Sequence, residues 1–217
     1  MHHITMHLDF VSPYAWLAFQ QLPNTLQGLS YHVEYRPVLL GALLQKNGNP
    51  GPVGIPTKRT WTYRHVQWLG QQLGIPLQMP AQHPFNPLPL LRLALQTSLN
   101  GSINRFVAES IFRHVWESGS DALDPARLQA LQTRLQAQTT LQNTSDSELL
   151  EQAKHWLRSN TENASQKDIF GIPSFEIQDK VFWGLDSLPM LRDFLDESAW
   201  FQSDAWENAK SISSGLA

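Results

Sequence analysis

The order in which hydrophobic periodicity changes along the chain limits its fold more than any other feature. Ile4 to Phe10 reads as a short strand of mixed polarity. Pro13 opens a helix to about Leu22, with Ala15, Trp16, Phe19 and Leu22 on one face. Proline suits that first helical turn. His32 to Val38 alternates as far as Pro37 and reads as a second strand. Strand, helix and strand in that order imply a parallel pair joined by a crossover. Gly48 to Pro56 is a Gly/Pro-rich loop, and helical patterns then dominate from about Thr60 to Asn160. Strands return only near the end. Ser174 to Ile177 and Val181 to Trp183 flank a Gln178-Asp179-Lys180 turn, and Asp186-Ser187 caps a helix carrying Leu188, Leu191, Phe194 and Leu195. Two halves of a small α/β sheet are thus separated by a helical insertion.

Within the insertion, Ile103, Phe106, Val107, Ile111 and Val115 form one helix face. Asp124-Pro125 is a cap followed by a first-turn proline. Leu128, Leu131 and Leu135 predict a helix within the Gln-rich stretch from Leu128 to Asn143. Ser145-x-x-Glu148 is a capping box ahead of Leu149, Ala153 and Trp156. The expected organisation is a discontinuous α/β unit, 1–38 with 169–217, around a helical insertion at 39–168. A chain of 217 residues buries enough core to need no disulfide or metal.

Composition removes several chemistries. The chain has no cysteine, so it has no thiolate nucleophile, disulfide framework, Cys-type zinc site or iron–sulfur cluster. A net charge of -3 argues against nucleic acid as the main partner and against a polybasic membrane anchor. The apolar stretches Tyr14 to Phe19 and Leu88 to Leu95 are too short for a membrane span. MHHITMHLDF lacks the basic and apolar regions of a secretory signal, so a cytoplasmic location is expected. The N-x-[ST] triplets at Asn100, Asn143 and Asn163 then read as chance matches. No H-E-x-x-H, G-x-G-x-x-G, Walker A or G-x-S-x-G pattern occurs. The eight histidines read as ordinary surface or satisfied residues, and no metal site is expected.

Three short segments carry chemistry. In Asp9-Phe10-Val11-Ser12-Pro13-Tyr14-Ala15-Trp16, Ser12 sits where the first strand meets the first helix. There the unpaired N–H groups and positive dipole end stabilise an anion such as a thiolate. The plain alternative is an N-cap contributing about 1 kcal/mol. Gly171-Ile172-Pro173-Ser174 puts a proline at a strand start. A cis bond there leaves the Ile172 backbone open to an extended ligand; a simple strand-start proline is the alternative. Trp183-Gly184-Leu185-Asp186-Ser187 turns into the last helix, whose N-terminus suits a carboxylate while Asp186 suits an ammonium. A cap is again the alternative.

This order resembles the thioredoxin fold with a helical domain inserted after the second strand. Ser12-Pro13-Tyr14-Ala15 occupies the place of Cys-x-x-Cys in disulfide oxidoreductases of that fold, so dithiol redox chemistry is excluded. From Asp9 to about Leu195 the chain is similar to the 2-hydroxychromene-2-carboxylate isomerases and the kappa-class glutathione transferases. The matching motifs are D-F-x-S-P-[YF], G-N-x-x-P around Asn49, G-I-P-L at Gly74 to Leu77, G-[IV]-P at Gly171 to Pro173 and W-G-x-D at Trp183 to Asp186. The resemblance implies a glutathione site. Ser12 would hydrogen-bond the sulfur, the Ile172 backbone beside cis Pro173 would pair with the cysteinyl part, and Leu185 and Asp186 would hold the γ-glutamyl end. Asn49 and Lys58 would come from the insertion, with Lys58 facing the glycyl carboxylate. Where relatives often carry Arg after the Asp of W-G-x-D, this chain has Ser187.

The resemblance also implies a reaction. A ring-closed chromene acid and an open trans-benzylidenepyruvate interconvert during aromatic breakdown. Rotation about a carbon–carbon double bond is the hard step, and transient thiolate addition makes it a single bond. Glutathione supplying the sulfur explains how a cysteine-free protein does this. The implied partners are a small aromatic carboxylate and a second copy of the chain. Two rival readings are a kappa-like glutathione transferase or glutathione peroxidase, and a non-catalytic thioredoxin-fold module that binds peptides near Pro173. Substrate-pocket walls are expected near Trp61, Tyr63, His83, Pro84 and Phe85.

Overall fold

A computed structural model describes residues 1–137, 145–213 and 215 of the chain. The expected element order is present. Strand β1 (His2–Leu8), helix α1 (Pro13–Thr25) and strand β2 (Tyr31–Pro37) make the first crossover, with β1 and β2 parallel. Strands β3 (Ser174–Ile177) and β4 (Lys180–Trp183) form the late hairpin. The sheet order is β2-β1-β3-β4, with β3 antiparallel to β1. All four strands therefore come from the two outer segments of the chain.

Among the described residues, six α-helices lie between β2 and β3 in sequence: α2 (Leu40–Lys46), α3 (Pro56–Leu73), α4 (Leu88–Leu95), α5 (Arg105–Trp116), α6 (Pro125–Gln136) and α7 (Asp146–Gln166). Their ends follow the local chemistry. Asp124 accepts from the Arg127 amide at 2.9 Å ahead of Pro125, and the Ser145/Glu148 capping box is complete. Gly74 closes α3 in the left-handed conformation at φ 65°, which glycine adopts without a Cβ clash. The stretch 138–143 of the Gln-rich segment and the triplet at Asn143 lie outside the described residues.

Several expectations need correction. Helix α1 continues three residues past Leu22 and takes in Pro23, because only its last turn lacks that amide. Ile103 is not helical. Its amide donates to the Tyr35 carbonyl at 2.9 Å and so extends the sheet edge. Phe106 is exposed and lies under the Arg134 guanidinium rather than on the buried face of α5. Ser187 stands at the N-cap of helix α8 (Leu188–Leu195), but no side chain there bonds a helix amide. Asp186 and Ser187 belong to a 3-10 turn, Leu185–Ser187, and the Ser187 hydroxyl donates back to the Gly184 carbonyl at 2.8 Å.

The core joins sheet and helices through aromatic rings. Phe10, Trp16, Phe19 and Phe112 are fully buried and touch one another at 5.0 to 6.3 Å between centroids. Each such side chain contributes roughly 1.5–3 kcal/mol through area removed from water. The tail also packs on the body. Phe201 and Trp206 lie 6.0 and 5.7 Å from Phe182, and Lys180 sits over the Trp206 ring. One histidine is buried with a charged partner: His7 bonds Glu176 at 3.0 Å, and that bond, with Lys167, brings the Glu176 carboxyl down to about 2.

Candidate functional site

The Ser12 turn is pinned residue by residue. Asp9 is buried, and its carboxylate accepts from the Val11 amide at 3.1 Å and from the Leu40 amide, at the start of α2, at 2.9 Å. The Phe10 carbonyl accepts from the Trp116 indole at 3.0 Å. The Val11 carbonyl bonds His83 Nε2 at 2.8 Å. A carbonyl only accepts, so Nε2 carries the proton; burial lowers the His83 pKa and keeps the ring neutral. The Ser12 hydroxyl accepts from the Ala15 amide at 3.2 Å and lies 3.5 Å from the Ile172 carbonyl. The insertion thus holds the turn through α2, α5 and the His83 loop, while α1 and the Ile172 strand lead hold its last residue.

Ser12 is an N-cap, as the plain alternative had it, and it also faces Ile172. The Ile172–Pro173 bond is cis. No described backbone group accepts from the Ile172 amide, whereas the Pro173 carbonyl accepts from Gly184 at 2.9 Å. That bond ties the lead into β3 to the turn after β4. Two glycines make the arrangement sterically possible. A Cβ on Gly171 would sit 2.4 Å from the Trp183 indole nitrogen. A Cβ on Gly184, at φ 98°, would sit 2.3 Å from the Asp186 carboxylate. Gly171 is therefore required by the Trp183 ring beside it, and Gly184 by its positive φ.

These residues open onto one cavity of about 830 Å³. Ile172, Pro173, Gly184, Leu185 and Asp186 form one wall, and Tyr14 of α1 with His65, Leu69 and Leu73 of α3 forms another. Asp186 is exposed, and among the described residues no cation forms an ion pair with it. Burial and then the Asp186 charge raise the Tyr14 pKa, so the phenol stays protonated. A second cleft of about 740 Å³ between α5 and α6 offers less: its Arg113 is already paired with Glu109 and Glu117.

Of the residues expected at the site, Ile172, Pro173, Leu185 and Asp186 line this cavity, and Ser12 touches Ile172 behind it. Asn49 and Lys58 are exposed and do not line it. Asn49 instead accepts from the Gly51 amide at 2.9 Å and shapes its own loop. The proposed wall residues also move. Tyr63 and His83 bond each other behind the Ser12 turn, and none of Trp61, Tyr63, His83, Pro84 and Phe85 lines the cavity. His65, which reads as ordinary from sequence, does line it, with Nδ1 2.9 Å from the Tyr14 hydroxyl. The only sequence signal for it is the spacing of Trp61, His65 and Trp68 on one helical face.

A free backbone edge at Ile172 and the Asp186 carboxylate line a single opening, with the Ser12 hydroxyl at the start of α1 behind Ile172. A thioredoxin-class enzyme fold carries it. The chain belongs to the DSBA-like thioredoxin domain family, whose profile matches residues 3–196. It is 24% identical over 207 residues to glutathione S-transferase kappa 2 of Caenorhabditis elegans, covering 89% of this chain and 92% of the relative. It is 26% identical over 197 residues to the 2-hydroxychromene-2-carboxylate isomerase of Sphingobium xenophagum, covering 88% and 97%. The solved structure of a 2-hydroxychromene-2-carboxylate isomerase superposes with a TM-score of 0.71 at 21% identity, covering 97% of this chain and all of that one. The curated relatives are enzymes of two kinds, isomerases and glutathione transferases. No described helix is long and apolar enough to cross a membrane.

Proposed function

We propose that the protein is a glutathione-dependent isomerase of the 2-hydroxychromene-2-carboxylate type, acting in aromatic breakdown. The observation that carries this reading is one cavity lined by Ile172–cis Pro173 and the Gly184–Leu185–Asp186 turn, with the Ser12 hydroxyl directly behind Ile172, in a chain without cysteine. Glutathione, when bound, supplies the nucleophilic thiolate that the chain lacks. The Ser12 hydroxyl and the amides of the first turn of α1 favour that anion. The Ile172 amide and carbonyl pair with an extended cysteinyl backbone. Asp186 meets the γ-glutamyl ammonium. The hydrophobic side chains Leu69, Leu73 and Trp183 orient an apolar ligand portion and limit water around it.

Asn49 and Lys58 remain part of the proposal as contacts to the glycyl end, reached from outside the cavity wall. The proposal also includes the division into 1–38 with 169–217 and an insertion at 39–168, supported by the origin of all four strands in the outer segments. It further includes a homodimer, a cytoplasmic location and a small aromatic carboxylate as substrate. The test is calorimetric titration with glutathione, together with an isomerisation assay with and without it. Binding and glutathione-dependent turnover are expected; no binding at millimolar glutathione overturns the reading. The kappa-type relatives favour a second reading, a glutathione transferase or glutathione peroxidase. Activity on an aryl halide or an organic peroxide, with no isomerisation, would establish it instead.

A further inference from the structure

A γ-glutamyl end carries an ammonium and a carboxylate on the same carbon, and Asp186 accounts only for the first. The position after Asp186 holds Ser187, whose hydroxyl already donates to the Gly184 carbonyl. The guanidinium in the cavity, Arg192, is held largely by the protein: Nε donates to Asp196 at 2.6 Å and Nη1 donates to the Thr25 and Gln27 carbonyls at 3.1 and 2.7 Å, which leaves only Nη2 without a described partner. We infer that His65 binds the α-carboxylate of the γ-glutamyl group, with Tyr14 as its positioning residue. This inference rests on the glutathione reading above.

Three contacts fix the imidazole. Tyr14 holds Nδ1 at 2.9 Å. Trp61 and Trp68 stack on the ring at 6.1 and 6.2 Å between centroids, tilted by only 12° and 14°. Those tryptophans are 66% and 54% exposed, so they contribute little to the core; their described ring contact is with His65. No described group bonds Nε2. A Tyr14 hydroxyl donating to Nδ1 leaves the proton on Nε2, which becomes a donor at the cavity wall. Tyr14 remains a protonated phenol because burial and the Asp186 charge both oppose its ionisation. Tyr14 and His65 line the same cavity as Asp186. An ordered donor held by its surroundings binds with less entropy lost than a free side chain.

The test compares two probes by calorimetry: glutathione and γ-aminobutyryl-cysteinylglycine, which lacks only the α-carboxylate. The wild type should prefer glutathione by about tenfold, the usual size of a hydrogen bond to a charged group. In His65→Phe, which keeps a ring between the tryptophans, glutathione should weaken to the level of the analogue while the analogue is unchanged. His65→Gln, which keeps a donor, should restore part of the preference, and Tyr14→Phe should reduce it a few-fold. An undiminished preference in His65→Phe overturns the inference, as does equal weakening of both probes. So does a preference lost in Arg192→Gln but kept in His65→Phe. A wild type that binds neither probe overturns the glutathione reading itself, which is a different result.

Discussion

Behind the Ser12 turn, the polar atoms of Asp9, His83 and Trp116 are committed to protein partners: two backbone amides, the Val11 carbonyl and the Phe10 carbonyl. Across the turn, on the cavity side, the Asp186 carboxylate has no described cation and His65 Nε2 no described partner. Both regions are rich in aromatic rings. The difference separates groups that fix the site from groups that await a ligand. A buried polar group without a partner is costly, so the support is satisfied internally. An exposed group at a cavity wall bears no such penalty and can be left for something that binds.

The largest effect should come from the cavity side. Asp186→Ala should weaken glutathione about a hundredfold, from loss of a charge-assisted contact, and leave the melting temperature unchanged. Binding that survives the substitution would move the γ-glutamyl group away from this wall. The support should respond the opposite way. His83→Phe strands the Val11 carbonyl and should lower unfolding stability by about 1–3 kcal/mol in denaturant titration. A stable His83→Phe protein that has lost only its ligand would erase the distinction between the regions.

Ser12 belongs to both sides and should show two smaller effects. Ser12→Ala should cost about 1 kcal/mol through the lost cap and should also raise the pKa of the bound thiol. The second effect is read from thiolate absorbance across a pH series, and an unchanged pKa removes Ser12 from the chemistry. The Asp9 effect is read as a pH slope rather than at one pH. Burial pushes its carboxyl up from 3.8 to about 7, against the backbone amides of Leu40, Val11 and Phe10. The folded protein then keeps a proton that the unfolded chain releases. The Asp9 contribution is therefore fully present below about pH 4, declines as pH rises toward 7, and is flat above that. Asp9→Asn should remove that part of the slope, measured by denaturation between pH 4 and 8; an identical slope contradicts the assignment.

Much of the fold was legible because it depends on local pattern. The strand-helix-strand start, the late hairpin and the capping box at Ser145 follow from residue period and capping chemistry. What failed depended on contacts between distant segments. Ile103 fits a helical face by spacing, but its amide is taken by Tyr35 across the sheet edge. Asp186-Ser187 has the composition of a cap, yet the Gly184 carbonyl captures the serine hydroxyl. At the site, four residues named by the motifs line the cavity, while Asn49 and Lys58, taken from a loop with few constraints, fall outside its lining. His65 shows the converse. Its partner Tyr14 is 51 positions away, so the local spacing with Trp61 and Trp68 does not by itself mark it as a cavity residue.

The central claim is that a sulfur brought by glutathione occupies the place beside Ser12 where this fold otherwise keeps its own. A crystal structure of the protein soaked with glutathione tests it most directly. The account predicts the sulfur within hydrogen-bond distance of the Ser12 hydroxyl, the cysteinyl backbone paired with Ile172, and the ammonium at Asp186. Glutathione bound elsewhere, or an empty cavity at saturating glutathione, would contradict it.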